Sequence, residues 1–316
     1  MLVITRTILV IMAVGLVSLA TSEGNAQEVS KKIAATVNGQ KILVAEVQKL
    51  LKRETPSVQP IPQTMRRKMY SLALDMLVND ALMRQHLARH APPVPPAAVE
   101  KEITELKTSL AEKKLTFAKF LTDTNQTEPE LRDEMLTRLR WRGYLDKHLT
   151  DAQMKKYHDE NKLFFDKVKV RAKHILLKVP VETKAAEKEK ILGRITALRE
   201  KIINKEATFE EAAKQFSHCP TKSNGGDIGF FPAKFAVADS FAKAAFALRV
   251  GEVSDVVETG FGFHIILVTD RTKAEPSNYA DIKEFVREVY AQDTKLYQKI
   301  IEQERKTSEV KVLFQY

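Results

Sequence analysis

The chain has 316 residues, 44% of them hydrophobic and 29% charged, and a formal net charge of +10. These values exclude a disordered chain and give enough length for roughly two domains. The cations are interleaved with acids, as between Lys184 and Lys190, and few aromatic residues alternate with them, so a nucleic-acid-binding groove is not expected.

Residues 1–26 have the three parts of a secretory signal peptide. Arg6 precedes an apolar run over 8–20, and small residues just before Gln27 predict cleavage there. The run is shorter than the roughly 20 residues of a comfortable transmembrane span. An uncleaved N-terminal anchor is the alternative interpretation. No cysteine follows the run, so we expect an exported protein without a lipid anchor and without stable membrane insertion.

A hairpin and a series of helices are predicted next. Apolar residues flank Asn38-Gly39, the strongest two-residue signal for a hairpin turn, within 33–43. The helical patterns that follow cover residues 44–53, 64–90, 97–113, 128–148 and 151–161.

The pattern over 64–90 predicts one apolar face of a long amphipathic helix. The residues that repeat at steps of three, four or seven are Met65, Met69, Leu72, Met76, Met83 and Leu87. Two interpretations stay open. The side chains either pack against other helices, or some of them line a groove for a client polypeptide, because methionine adapts to irregular partners.

His86 and His90 are four residues apart, a spacing that can place two imidazoles on one metal ion. The sequence offers no obvious third ligand. We therefore interpret them as the solvated C-terminal end of the helix, and no metal site is predicted.

The C-terminal part predicts a helix over 279–303 and a strand over 310–314. A lone strand needs a partner, and the Asn38-Gly39 hairpin is the natural one. Residues 27–167 and 273–316 would then form one mainly helical domain, into which residues 168–272 are inserted.

The inserted stretch carries the motifs with chemical meaning. Its first strand contains His174 and its last contains His264, each on an otherwise apolar face by two-residue alternation. Between them lie Phe-Ser-His-Cys219, with the only cysteine of the chain, and Gly-Gly-Asp-Ile228-Gly. One such histidine is more often a hydrogen-bonded core residue. Two of them around a glycine-rich loop favour a functional site.

Helices are predicted over 184–204 and 240–248, and a capping box at Thr208 begins a shorter one. The order β-α-α-loop-β-α-β predicts an α+β fold, a small mostly antiparallel sheet flanked by helices.

These motifs together resemble the parvulin family of peptidyl-prolyl isomerases. The segments that carry the resemblance, in one order over nearly all of 168–272, are His174-Ile-Leu-Leu, Phe-Ser-His-Cys219, Gly-Gly-Asp-Ile228-Gly, Phe241-x4-Phe246-Ala-Leu, Val250-Gly-Glu-Val-Ser and Gly-Phe-His264-Ile-Ile. More loosely, the flanking segments are similar to the chaperone domain of exported foldases of the SurA and PrsA type.

The resemblance implies a catalytic set of four residues. His174 and His264 match the paired histidines of the family, and Cys219 matches a position that holds Cys or Asp. Thr259 matches a hydroxyl position in the same hydrogen-bonded network.

The resemblance also implies an apolar pocket for the substrate proline, to which Ile228, Phe231 and Phe241 are assigned. Val237 stands where the family often has methionine, so Phe235 is an alternative occupant of that part of the pocket. No arginine pair follows Lys178, so selectivity for phosphoserine-proline is not expected.

We therefore expect a peptidyl-prolyl cis-trans isomerase and chaperone that needs no cofactor and no metal. Its partners would be unfolded or nascent exported polypeptides containing Xaa-Pro, with no nucleic acid, and its oligomeric state is left open. The periplasm is the expected location and the cell exterior the alternative.

Three other interpretations stay open. Cys219 and a histidine could form the nucleophile and base of a thiol protease or acyltransferase. Cys219 could instead be only a structural core residue. The whole chain could be a holdase chaperone whose parvulin module is catalytically silent.

Overall fold

The computed structural model describes residues 32–54 and 62–314, which fall into two compact units. The first unit joins the residues up to Asp151 to those from Arg287 onward, and the second is Ala152–Val286. The predicted signal peptide, 1–26, lies outside the described residues. None of the described helices combines the length and apolar character needed to span a membrane.

The first unit contains a three-stranded antiparallel sheet. Strand β1 (Ile33–Val37) pairs with β2 (Gln40–Leu43) across Asn38 and Gly39, whose φ angles of 49° and 83° suit the predicted hairpin turn. Strand β7 (Val310–Val312) pairs with the other edge of β1. The predicted pairing of the C-terminal strand with the hairpin is confirmed.

Helices make up most of the rest of the first unit. In chain order they are α1 (Val44–Glu54), α2 (Gln63–His90), α3 (Pro96–Glu112), α4 (Phe117–Asp123), α5 (Glu128–His148) and α12 (Leu296–Thr307). The sequence patterns do not predict α4, a seven-residue helix whose Phe117, Phe120 and Leu121 are only partly buried. The single helix predicted over 279–303 is wrong. Helix α11 (Tyr279–Asp293) ends before Lys295, whose φ of 53° interrupts the helical path.

The apolar face of α2 also differs from the prediction. Met65, Leu72 and Met76 are 40–43% exposed, whereas Met69, Met83 and Leu87 are buried as expected. The buried surface is completed by residues that the pattern left out, which are Tyr70, Ala73, Leu74, Val78, Ala81 and Leu82. The six predicted positions lie on one side of the helix, so their different burial reflects which neighbouring elements cover each part of its length.

The second unit is built on a four-stranded antiparallel sheet. Its strands are β3 (Lys169–Lys178), β4 (Asp227–Pro232), β5 (Val257–Thr259) and β6 (Gly262–Arg271), in the spatial order β4-β3-β6-β5. Its helices are α6 (Asp151–Glu160), α7 (Lys162–Phe165), α8 (Ala185–Ile203), α9 (Phe209–Phe216) and α10 (Asp239–Ala247). The fold is α+β, as predicted, although β5 and α7 are too short for the sequence pattern to reveal.

Each face of this sheet supports its own apolar core. On one face, Ile175 and Ile265 pack with Ile195 of α8 and Phe209 of α9, which begins at the predicted capping box. The other face carries a cluster whose buried members are Val170, Ala172, Phe231, Phe241, Ala245, Ile266 and Val268. We call it the pocket cluster. His174 and His264 share this second face by strand alternation.

The second unit extends beyond the predicted 168–272 at both ends. The Asp166 carboxylate accepts hydrogen bonds from the backbone N–H and the hydroxyl of Ser277, both at 2.7 Å. His158 lies 2.9 Å from the same hydroxyl and stacks on Phe165. These contacts join the segments that flank the predicted boundaries.

Gly226 allows the chain to pass close behind His174. The His174 N–H donates to the Gly226 carbonyl at 2.9 Å, and Gly226 has a φ of 83°. A Cβ atom there would lie 2.3 Å from the His174 carbonyl oxygen. Position 226 therefore accepts only glycine without a shift of β3.

We expect Gly226→Ala to lower the free energy of unfolding by about 1–3 kcal/mol or more, since the left-handed conformation strains alanine and the contact forces β3 to move. Scanning calorimetry measures the change. Gly260→Ala is the matched control, because a Cβ there meets nothing within 4 Å. Equal transitions for the two variants would contradict the assignment.

Candidate active site

Two histidines on neighbouring strands form the centre of the candidate site. His264 lies opposite Leu176 in the β3–β6 register, so His174 is its diagonal neighbour on the same face. The two Nδ1 atoms are 3.2 Å apart, and the rings are nearly parallel, with centroids 5.4 Å apart. The ring of Phe241 in α10 makes edge-to-face contacts with both imidazole rings. The pair is therefore held in a fixed geometry.

A hydroxyl extends this pair into a chain of hydrogen bonds. Thr259 Oγ1 of β5 lies 2.8 Å from His264 Nε2, and the backbone N–H of Phe261 donates to the same oxygen at 3.1 Å. Each of the two contacts can be a hydrogen bond with a single proton. The donors can run from Thr259 through His264 to His174, or in the opposite direction. His174 Nε2, at one end, is buried and has no hydrogen-bond partner among the described residues.

Both imidazoles are uncharged at neutral pH. His174 and His264 are only 7% and 4% exposed. Burial lowers the pKa of His174 below its usual value. Burial and then the neighbouring His174 lower the pKa of His264 to about 4. A neutral pair can share a proton between its Nδ1 atoms, whereas two imidazolium ions would repel each other.

Cys219 lies in the loop after α9, but its thiol is bonded elsewhere. The Thr221 hydroxyl donates to Cys219 Sγ at 3.2 Å, and the Cys219 backbone N–H donates to Ser217 Oγ at 3.2 Å. No hydrogen bond joins Cys219 to the histidine pair within the described part of the chain. The structure thus links three of the four predicted catalytic residues and leaves the cysteine in a separate local network.

Ser217 and Thr221 are two residues that the sequence argument missed. Ser217 is buried and also accepts a hydrogen bond from the Leu176 N–H of β3 at 3.1 Å, so it ties the cysteine loop to the central strand. Both residues lie two positions from Cys219. A search for hydroxyls that can form local turns around a loop cysteine would have found them.

Four of the five predicted pocket residues belong to the pocket cluster. Phe231 and Phe241 are buried in it with ring centroids 5.9 Å apart, and the partly buried Ile228 and Val237 pack against it. The cluster covers the sheet face on which the histidine pair lies. The site therefore joins a largely apolar surface to a short polar chain, and among the described residues no third metal ligand joins the two imidazoles.

Phe235 does not take the place that the sequence suggested as an alternative to Val237. Its side chain is 45% exposed, its backbone has a φ of 67°, and its ring packs edge-on against Phe164 at 5.8 Å. A left-handed backbone conformation is uncommon for phenylalanine. In this structure Val237, rather than Phe235, packs against the pocket cluster. The role of Phe235 as a substrate-binding residue stays a prediction.

Comparison with known proteins matches two family profiles. Residues 174–270 match the PPIC-type PPIase domain, and residues 1–145 match the SurA-like N-terminal domain. Foldase protein PrsA of Caldanaerobacter subterraneus subsp. tengcongensis is 31% identical over 260 residues, which cover 79% of this chain and 77% of that protein.

Two further relatives match over shorter stretches. Foldase protein PrsA of Bacillus subtilis is 33% identical over 164 residues, so the match spans about half of that relative's length. Peptidyl-prolyl cis-trans isomerase Pin1 of Digitalis lanata is 34% identical over 111 residues, covering 31% of this chain and 93% of that protein.

The match over 174–270 falls on the sheet and helices that hold the histidine pair, so this part of the chain is a parvulin-type peptidyl-prolyl cis-trans isomerase domain. The likeness to the Caldanaerobacter foldase continues over most of both chains. The chain belongs to the PrsA family of foldases.

The low pKa of His264 predicts a dependence of stability on pH. The unfolded chain takes up a proton near pH 6.5, which the folded imidazole accepts only near pH 4. The neutral imidazole therefore makes its full contribution to the free energy of unfolding above about pH 6.5. This contribution falls by up to about 3 kcal/mol as the pH drops toward 4.

Urea unfolding of the wild type and of His264→Gln between pH 7 and 4 isolates this contribution, since other groups titrate in both proteins. We expect the wild type to lose more stability than the variant. The exposed His148 at the end of α5, replaced by glutamine, is the control. A folded His264 imidazole that titrates near pH 6.5 by NMR would contradict the prediction.

Proposed function

We propose that residues 168–272 catalyse cis-trans rotation about Xaa-Pro bonds in unfolded or nascent exported polypeptides, and that the helical segments hold those clients as a chaperone. The supporting observation is the uncharged, hydrogen-bonded pair of His174 and His264 beside the pocket cluster. An apolar surface beside neutral hydrogen-bonding groups suits a reaction that transfers no charge.

The reaction requires only rotation about a stiff bond. The barrier of roughly 18–20 kcal/mol arises from amide resonance, which disappears in the twisted amide. A site accelerates rotation if it binds the twisted form better than either planar form. We assign Ile228, Phe231, Val237 and Phe241 to the proline ring, where they exclude water. We place the exposed Phe235 at the rim.

The histidine chain would act on the carbonyl beside the proline. When resonance is lost, the carbonyl oxygen and the amide nitrogen become electronically separate. Preorganised neutral groups can then stabilise the new charge distribution without reorganising. Thr259 fixes the orientation of His264, which in turn fixes His174. Cys219 contributes to the electrostatics from the neighbouring loop.

A covalent role for Cys219 is disfavoured. A thiol nucleophile needs an adjacent base, and the hydrogen bond to Cys219 Sγ comes from Thr221 rather than from a histidine. Selectivity for phosphorylated clients is also not expected, since no arginine pair follows Lys178.

Exchange NMR of an unphosphorylated Xaa-Pro peptide tests the proposal. The wild type should accelerate exchange, and His264→Ala should reduce the acceleration about 10- to 100-fold because the hydrogen-bonded chain is broken. Cys219→Ser should retain most of it, whereas a covalent mechanism would lose nearly all. His148→Ala, which removes an exposed histidine of the first unit, serves as the control. No acceleration by the folded wild type across several residues before proline would refute catalysis.

One observation favours the holdase as a second candidate function, namely the exposed apolar side chains of Met65, Leu72 and Met76 on α2. The His264→Ala variant distinguishes isomerisation from client binding. If His264→Ala suppresses client aggregation as well as the wild type but no longer assists maturation, isomerisation is the function in folding. If maturation is also unchanged, client binding is sufficient and the isomerase module is dispensable.

For location, the proposal is export to the periplasm with cleavage of residues 1–26. It is supported by the three-part signal and by the absence of a cysteine after its apolar run. Cell fractionation should find the processed chain in the periplasmic extract. Recovery with the membranes at full length would instead indicate a retained anchor, and recovery in the medium an extracellular protein.

A further inference from the structure

The fold adds a third potential ligand to the two histidines of α2. His86 and His90 lie one turn apart, and Glu304 of α12 faces them. One candidate donor atom from each residue can be chosen so that all three lie within 4.8 Å of one another. The sequence pattern shows only the histidine pair, since Glu304 is more than 200 positions away. We call these three residues the α2–α12 trio.

Two members of the trio are already joined. His86 Nδ1 lies 2.7 Å from Glu304 Oε1, and both side chains are largely buried. The other ring nitrogen of His86, Nε2, is buried and has no hydrogen-bond partner among the described residues. His86 Nε2 is therefore available to a further partner while Nδ1 faces Glu304.

We propose that the α2–α12 trio binds one divalent transition-metal ion, with Zn²⁺ as the first choice. Two imidazoles and one carboxylate are a common donor set for zinc, which takes nitrogen and oxygen ligands at about 2.0–2.2 Å. His90 is exposed at the end of α2, so its ring can rotate toward the other two ligands. The fourth position would be left to water.

Arg89 opposes the binding of a cation. Its Nη2 lies 2.5 Å from Glu304 Oε2, so it neutralises part of the carboxylate charge while leaving Oε1 to the trio. Removal of this guanidinium should strengthen the site, because a positive charge no longer competes for the carboxylate. The proposal thus predicts opposite effects for two neighbouring substitutions on one helix.

Isothermal titration of the tag-free chain with ZnCl₂ tests the proposal. We expect one ion per chain, at least about tenfold weaker binding for His90→Ala and Glu304→Gln, and tighter binding for Arg89→Ala. His90 is exposed and Glu304→Gln keeps its shape, so the folds should persist. Zinc should also raise the unfolding temperature of the wild type but not of His90→Ala, and a chelator should reverse the effect.

The control is His218→Ala, which removes the exposed histidine that precedes Cys219 in the sequence, and it should retain the affinity. Loss of binding there would place the ion at the cysteine loop and overturn the proposal. No binding by the wild type, or equal binding by His90→Ala, would also overturn it and leave the trio as an ion pair between α2 and α12.

Discussion

Strands β3 and β6 pair over almost their full length, and the rest of the second unit depends on this register. The pairing brings together two histidines that are 90 positions apart and sends the adjacent side chains, such as Ile175 and Ile265, to the opposite core. A slip by one residue would exchange the faces, burying the imidazoles under α8 and α9. Gly226 contributes to the same arrangement, because only glycine fits behind His174.

The pocket cluster links stability and chemistry. The apolar residues that pack on the sheet also remove water from the imidazoles, which keeps His264 uncharged. The same exclusion of water would strengthen every dipole that faces a substrate amide. The edge-to-face contacts of Phe241 with both rings place this aromatic side chain at the junction of the two roles.

Much of the fold and of the candidate site could be predicted, because the sequence signals for them are local or shared with a known family. Two-residue alternation assigned His174 and His264 to one face, and a capping box located α9. The side chain of Phe235 could not be placed, because its direction depends on a backbone conformation that a phenylalanine rarely adopts. The exposed Met65 of α2 was misplaced for another reason: burial on a long helix depends on which elements surround it. Glu304 meets His86 only through tertiary packing.

In the first unit, β1 lies between β2 and β7. The Asn38 side chain stabilises the pairing of β1 with β7, since it donates to the Ser308 hydroxyl and accepts from the Glu309 N–H. The order of synthesis therefore affects which unit can fold first. The sheet cannot be complete until residue 312 has emerged, whereas the second unit has all of its residues earlier. If that unit folds first, it shortens the effective loop that β7 must close and so lowers its entropic cost.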